Sequence, residues 1–310
     1  MHRLLIDTDP GVDDSMMIQW ALKRADVTVE AMTAVFGNNP VDITSRNAHK
    51  NLEVAGRAGV PVARGANKPL TRPYTGRGSV VHGKDGLGES NLPPPSSKPI
   101  AIHAANLLVE RIMAAPGEMT LLAVGPLTNV ALAVSLEPTI AQNVKQFVIM
   151  GGATVRGNAS PVAEANIRND PEAARIVFNA GWTKFVMAGL DVTLLTRMDD
   201  AYLAKIQAAG TPVTNFISAI ARFYKNSYKQ RSGWDTMPVH DSSALAYILD
   251  PSLFKAEHIY VDVETHGERT SGQTVADFRG QFEQAPNCHV LMDVDAQRML
   301  DMYLADITAK

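Results

Sequence analysis

Asp7-Thr-Asp-Pro-Gly-Val-Asp-Asp14 places four carboxylates within eight residues. The run follows directly on Leu4-Leu5-Ile6, an apolar stretch that reads as a buried strand. Like charges crowded beside a core are costly unless a cation or a proton compensates them. Ligands of this kind, all oxygen, suit hard cations such as Ca²⁺ or Mg²⁺. The turn therefore predicts a metal-centred active site. An EF-hand loop does not fit, because no glycine stands sixth from Asp7 or Asp9 and no glutamate closes the loop. A solvated turn that merely caps a helix rarely needs four acids.

The elements that must hold this turn alternate along the chain. Leu4–Ile6 reads as a strand and Asp14–Arg24 as a helix, with acids at its start to complement the helix dipole. Val27–Phe36 reads as a strand and Asp42–Gly56 as a helix ending at glycine. Helix Ile102–Ala114, strand Met119–Val124, helix Leu127–Leu136 and strand Gln146–Met150 follow. Helix Pro171–Asn179 and strand Lys184–Met187 continue the rhythm, and Asp199–Leu249 is mainly helical. Asn287–Met292 is a late strand before a last helix. The pattern predicts an open α/β fold, a mostly parallel sheet with helices on both faces, as a single domain over residues 1–310. Ligands in such folds gather at the carboxyl ends of strands, where the acidic turn, Gly37-Asn38, Gly125-Pro126 and Gly151-Gly152 all fall. Lys68–Lys98, rich in Gly, Pro and Ser, breaks the rhythm as a lid or a disordered insert would.

Bulk properties narrow the partners. A formal net charge of −3 shows no basic excess and argues against nucleic acid. The single cysteine, Cys288, rules out an internal disulfide and a cysteine zinc site, which suits a reducing compartment. Asp7 interrupts the apolar start too early for a signal peptide, and no stretch reads as a membrane span, so a cytoplasmic protein is expected. Gly78 to Asp85 approaches a phosphate-binding loop but lacks its final hydroxyl.

The acidic turn resembles the signature of the nucleoside hydrolases, which cleave the N-glycosidic bond of ribonucleosides. The likeness extends to Val35-Phe36-Gly37-Asn38, Val124-Gly125-Pro126-Leu127-Thr128-Asn129 and Met150-Gly151-Gly152-Ala153, in the family's order and spacing. Gly157-Asn158, Ala163-Glu164-Ala165-Asn166, Asp170-Pro171-Glu172-Ala173 and Val239-His240-Asp241 complete it, so the resemblance runs from Ile6 to at least Leu249. It points to the inosine-uridine preferring or pyrimidine-preferring branch.

The resemblance implies a Ca²⁺ site made by Asp9, Asp14, Asp241 and the Val124 carbonyl, where many relatives carry threonine. It implies Asp13 as the base that takes a proton from the attacking water, and His240 as the group that protonates or orients the departing nucleobase. Asn38, Asn158, Glu164 and Asn166 match the ribose-binding set, and Met150 the face of the sugar. His82 and Tyr228 match positions near the base, and Asp7 a residue behind the metal shell or a ribose contact. Taken alone, Met150 reads as core, Tyr228 as an ordinary helix aromatic and Asn158 as loop polarity. Two departures bear on the substrate. Ala165 replaces a frequent phenylalanine, and Ser232 a larger residue at the base. The implied substrate is a ribonucleoside of hypoxanthine, uracil or cytosine, and the implied assembly a homodimer or homotetramer.

Two other readings compete. A haloacid-dehalogenase-like, Mg²⁺-dependent phosphohydrolase would use Asp7 as nucleophile, but that family wants Thr or Val where Gly11 stands. A non-catalytic nucleoside-binding protein would have little need of Asp13, Asp14 and Asp241 together.

Overall fold

The computed structural model describes residues 1–76 and 78–309. Among the described residues eleven strands run along the chain. They are β1 His2–Thr8, β2 Val27–Ala34, β3 Val62–Arg64, β4 Met119–Ala123, β5 Gln146–Met150, β6 Phe185–Ala188, β7 Arg197–Met198, β8 Met237–Pro238, β9 Phe254–Val263, β10 Thr274–Asp277 and β11 Cys288–Val294. The helices that bear on the site are α1 Val12–Lys23, α2 Val41–Val54, α3 Ser79–His82, α4 Ala104–Ala114 and α5 Thr128–Leu136. Further along come α6 Ile140–Asn143, α7 Ala165–Asn169, α8 Pro171–Phe178, α9 Leu190–Thr193, α10 Asp200–Ala208, α11 Pro212–Ser232, α12 His240–Leu249 and α13 Ala296–Thr308.

Nine strands form one sheet in the order β10-β9-β11-β6-β5-β4-β1-β2-β3. From β3 to β11 the neighbours in this sheet are parallel, and at the other edge β9 pairs antiparallel with both β11 and β10. Alternation along β1 feeds two cores. Leu4 and Ile6 join the layer under α1, α11, α12 and α13, while Leu5 joins the layer under α4, α5 and α8. The chain steps outward from β1 through β2 to β3 on one side, and from β4 through β5 to β6 on the other. The reversal lies between β1 and β4, which opens a crevice beyond their carboxyl ends. The acidic turn leaves β1 at that point. Among the described residues no helix is long and apolar enough to cross a membrane.

The mostly parallel sheet follows the expectation, and the differences have physical causes. Helix α1 starts at Val12, so Asp13 and Asp14 lie within its first turn rather than before it. Strand β3 has three residues, too few for a period to show. Strand β9 is exposed through Lys255–His258 and carries charge there, so it does not read as a sheet strand. The Lys68–Lys98 stretch is packed, not a disordered insert. Leu87 is fully buried, Arg72 pairs with Glu172, and the Tyr74 hydroxyl donates to the Gly37 carbonyl. Arg77, within that stretch, lies outside the described residues.

Asn129, in the first turn of α5, fastens the crevice. Its amide donates to Asp7 Oδ1 at 2.8 Å and to the Ala34 carbonyl, and its oxygen accepts from the Ala66 amide at 2.8 Å. A Cβ on Gly65 would come within 2.1 Å of that side chain, so the glycine makes room for it. Asn129→Ala leaves several of these buried groups unpaired and should cost about 1–3 kcal/mol for each one that stays unsatisfied. A denaturant midpoint shifted down at constant slope is the expected result; an unchanged midpoint would contradict it.

Candidate active site

The turn from Asp9 to Gly11 is held by its own side chains. Thr8 Oγ1 donates to Asp14 Oδ1 at 2.6 Å, and the Gly11 amide donates to Asp14 Oδ2 at 2.9 Å. The Asn38 amide donates to Asp9 Oδ2 at 2.6 Å, and its side-chain amide reaches Asp14 Oδ2 at 3.0 Å. Glycines let the neighbours close in. A Cβ on Gly37 would fall 2.0 Å from Asp9 Oδ2, and one on Gly11 would fall 2.5 Å from His82 Nδ1.

Asp241 enters from far along the sequence, at the second residue of α12, which packs against α1. Oxygens of Asp13, Asp14 and Asp241 all lie within 4.8 Å of one another. Both helices present their N-termini, whose partial positive charge offsets only part of this density. Burial first, and like charge for Asp14, pushes the Asp13 and Asp14 carboxyls up to about 6. Asp9 and Asp241 are pushed well above the usual carboxylate range by burial and by their acidic neighbours. Among the described residues no Lys or Arg pairs with any of the four, and the one basic contact, His82 at 3.7 Å from Asp13, is a neutral imidazole whose pKa burial lowers to about 4. Asp9 Oδ1 and Asp13 Oδ1 are buried with no hydrogen-bond partner. A buried set of oxygens with orphaned lone pairs and no cationic side chain is the donor set a divalent metal needs, so the residues fit one.

Sequence reasoning grouped Asp9, Asp14 and Asp241, whereas the tightest triple contains Asp13 in place of Asp9. Asp9 is nonetheless adjacent, with Oδ1 against Gly125 beside the Val124 carbonyl. That carbonyl accepts from Asn166 Nδ2 at 3.0 Å.

A cavity of about 1110 Å³ opens above the acids. Asp13, Asp14, Asn38, His82, Val124, Met150, Asn158, Glu164, Asn166, Tyr228, His240 and Asp241 all line it; Asp9 and Asp7 do not. Asp7 is fully buried behind the turn and accepts from Thr33 and Asn129. Glu164 caps α7, accepting from the Asn166, Ile167 and Gly152 amides, and burial lifts its carboxyl to about 7. Asn158 Oδ1 accepts from the Ala165 amide, while Asn166 gives its amide to Val124 and Met150 and keeps its oxygen free of these bonds. His82 Nδ1 accepts from the Val12 amide at 3.1 Å, which places its proton on Nε2. His240 sits between Thr193 Oγ1 at 2.8 Å and the Tyr228 hydroxyl at 2.9 Å, and burial lowers its pKa to about 3.

Three further residues belong to the site. The Tyr224 hydroxyl donates to Asp13 Oδ2 at 3.1 Å. Trp234 stacks on Tyr228 with rings 7° from parallel, and the Arg197 guanidinium lies 3.7 Å from the centre of the Trp234 ring. Tyr224, Ser227, Tyr228 and Arg231 recur at helical spacing along one face of α11, a periodicity present in the sequence but equally typical of a packed face. Trp234 and Arg197 come from separate segments and had no such signal.

Residues 4–301 match the family model of the inosine-uridine preferring nucleoside hydrolases. An inosine-uridine preferring nucleoside hydrolase of Leishmania major is 40% identical over 94% of this chain and 92% of its own. A pyrimidine-specific ribonucleoside hydrolase of Citrobacter koseri is 39% identical over 96% of each. Among solved structures, a plant nucleoside hydrolase superposes with a TM-score of 0.96 at 33% identity, covering 100% of this chain and 99% of that one. A purine-preferring ribonucleoside hydrolase from Gardnerella vaginalis reaches 0.94 at 28% identity, covering 99% and 98%.

The raised carboxyl pKa values predict how a cation acts on stability. An acid whose pKa is higher folded than unfolded loses stability as pH rises from its unfolded value through its folded one, here from about 4 to about 6 for Asp13 and Asp14. Chelated protein should therefore lose thermal stability between pH 5 and pH 7.5, and a divalent cation should restore more of it at the higher pH. Parallel pH profiles with and without cation would contradict this account.

Proposed function

The chain belongs to the family of inosine-uridine preferring nucleoside hydrolases, and on that premise we propose that it is a Ca²⁺-dependent hydrolase of inosine, uridine or cytidine. It is an N-glycosyl hydrolase acting on ribonucleosides, releasing ribose and a nucleobase. The observation that carries the finer reading is the meeting of Asp241 with the N-terminal acids on the floor of the cavity.

Asp9, Asp14, Asp241 and the Val124 carbonyl would hold the Ca²⁺. When bound, the ion supplies positive charge that orients the ribose 2′ and 3′ hydroxyls and makes a nearby water more acidic. Asp13, which lines the cavity and keeps one carboxylate oxygen without a hydrogen-bond partner, would accept the proton of the attacking water as its hydroxyl adds to C1′. The Tyr224 hydroxyl on the other oxygen fixes the carboxylate's orientation. The C1′–N bond lengthens ahead of attack, and the surrounding carboxylates stabilise the ribosyl cation that develops. Asn166, Asn38 and Asn158 face the sugar hydroxyls, with Met150 under the ring. Tyr228 and His240 meet the departing base as a hydrogen-bonded pair, and His82 offers it Nε2–H. The roles of Asp13 and Asp9 could be exchanged, because Asp13 belongs to the tightest carboxylate triple and the Asp9 Oδ1 behind the cavity is also orphaned.

Asp13→Ala should lower kcat about 10²–10⁴-fold while keeping one metal equivalent. Loss of metal from Asp13→Ala, together with an inactive Asp9→Ala that retains metal, would exchange the two roles. A panel of ribosides and deoxyribosides, assayed for reducing sugar with and without chelator, tests the whole reading. Ribosides should be cleaved and deoxyribosides only poorly, because the groups that bind the missing hydroxyl stay unpaired. Equal rates on both, or rates indifferent to chelator, would contradict it.

A further inference from the structure

The outer end of the cavity carries a cationic cap that the reaction described above does not use. On α11, Tyr224 touches Asp13 at the floor, and Arg231 lies two turns further along the same face, a rise of roughly 10 Å. That rise is comparable to the length of a nucleoside from its ribose to the far edge of its base. Arg156, on the loop after β5, lines the same cavity. Two other lining arginines are already engaged. Arg72 pairs with Glu172, and Arg168 donates to the Ser271 carbonyl. Arg156 and Arg231 line the cavity and take part in none of the ion pairs among the described residues. Arg197 adds a third positive charge behind Trp234. Glu268, on the loop between β9 and β10, is the acidic residue lining this outer region and pairs with neither arginine.

Guanidinium groups offer only N–H donors and a permanent charge. A nucleobase whose far edge carries oxygens and negative charge satisfies both, whereas an amino group there opposes donor to donor. The near wall is donor-rich as well: both nitrogens of the His240 ring are occupied by Thr193 and Tyr228, and His82 presents Nε2–H, so a base rich in oxygen suits both ends of the cavity.

We propose that Arg231 and Arg156 are specificity-determining residues that select ribosides of acidic, oxygen-rich nucleobases, those that carry negative charge at the edge away from the ribose. The inference rests on the ribose being seated at the acidic turn. In the hydrolysis of such a substrate the C1′–N bond breaks, the hydroxyl of water ends on C1′ and its proton on the released base, which keeps its negative charge beside the two guanidiniums.

Inosine, xanthosine and guanosine share one skeleton and differ at base carbon 2, which carries hydrogen, oxygen or an amino group. The added oxygen makes the xanthine base acidic enough to be largely anionic at neutral pH. The wild-type enzyme should favour xanthosine over inosine by about tenfold in kcat/KM and disfavour guanosine, on the scale that one well-placed charged contact discriminates. That preference should shrink in high salt, because the guanidiniums are exposed to solvent. In Arg231→Gln and Arg156→Gln the xanthosine-to-inosine ratio should fall towards one. A ratio that survives both substitutions, or a uniform loss on all three ribosides, would overturn the proposal. So would faster hydrolysis of inosine 5′-monophosphate than of inosine with an advantage lost in Arg231→Gln, because the arginines would then be reading a phosphate. Calorimetric binding of free xanthine and hypoxanthine to the wild-type enzyme, at a mildly alkaline pH where xanthine is ionised and hypoxanthine is mostly neutral, decides the point even if no riboside is cleaved. Tighter binding of xanthine supports the cap, and equal affinity overturns it. Absence of cleavage together with tighter xanthine binding would place the failure in the hydrolase reading alone.

Discussion

Mutual repulsion among buried carboxylates is the constraint around which the rest of the molecule is arranged. Asp9, Asp13, Asp14 and Asp241 are all buried, and no basic side chain among the described residues neutralises them. In water such a group would simply ionise and repel; in the crevice it must hold protons or a cation. The fold supplies partial help from two helix N-termini, α1 and α12, and from the hydroxyl and amides of Thr8, Gly11 and Asn38. What remains unmet, the orphaned oxygens of Asp9 and Asp13, is what a hard cation or a proton would satisfy.

That strain is local because the surroundings are rigid. The sheet reverses direction between β1 and β4, and Asn129 ties both sides of the reversal to Asp7. From the floor outward, α11 carries the remaining contacts in sequence. Tyr224 meets Asp13, Tyr228 meets His240, and Trp234, just beyond the helix, stacks on Tyr228 over Arg197. One helix face therefore links the buried Asp13 carboxylate to the aromatic groups higher in the cavity, so a shift of α11 would disturb both together.

Much of this was legible in the sequence, for stated physical reasons. Four acids after a strand had few structural uses, and ordered glycine and asparagine motifs at strand ends marked the crevice walls. The alternating elements led to the parallel sheet. What the sequence hid were features created only by packing. Strand β9 is exposed and charged over Lys255–His258 and breaks its alternation at Ile259-Tyr260-Val261, so no clear period marked it. Tyr224 looked like any helix aromatic until its hydroxyl met Asp13. Trp234 and Arg197 meet only because β7 and β8 bring their segments side by side. Glu164 was matched to the sugar, yet its oxygens accept from three backbone amides, which makes it a cap of α7 as well. Membership of the nucleoside hydrolase family came through motifs that survive at about 40% identity with its relatives.

The most direct test of the central account is a calorimetric titration of chelator-stripped protein with Ca²⁺. The account predicts one ion bound per chain, with proton release near neutral pH as carboxyls give up their protons, and binding abolished by Asp14→Asn or Asp241→Asn. Binding that persists undiminished in both variants, or no binding to the unsubstituted chain, would contradict it.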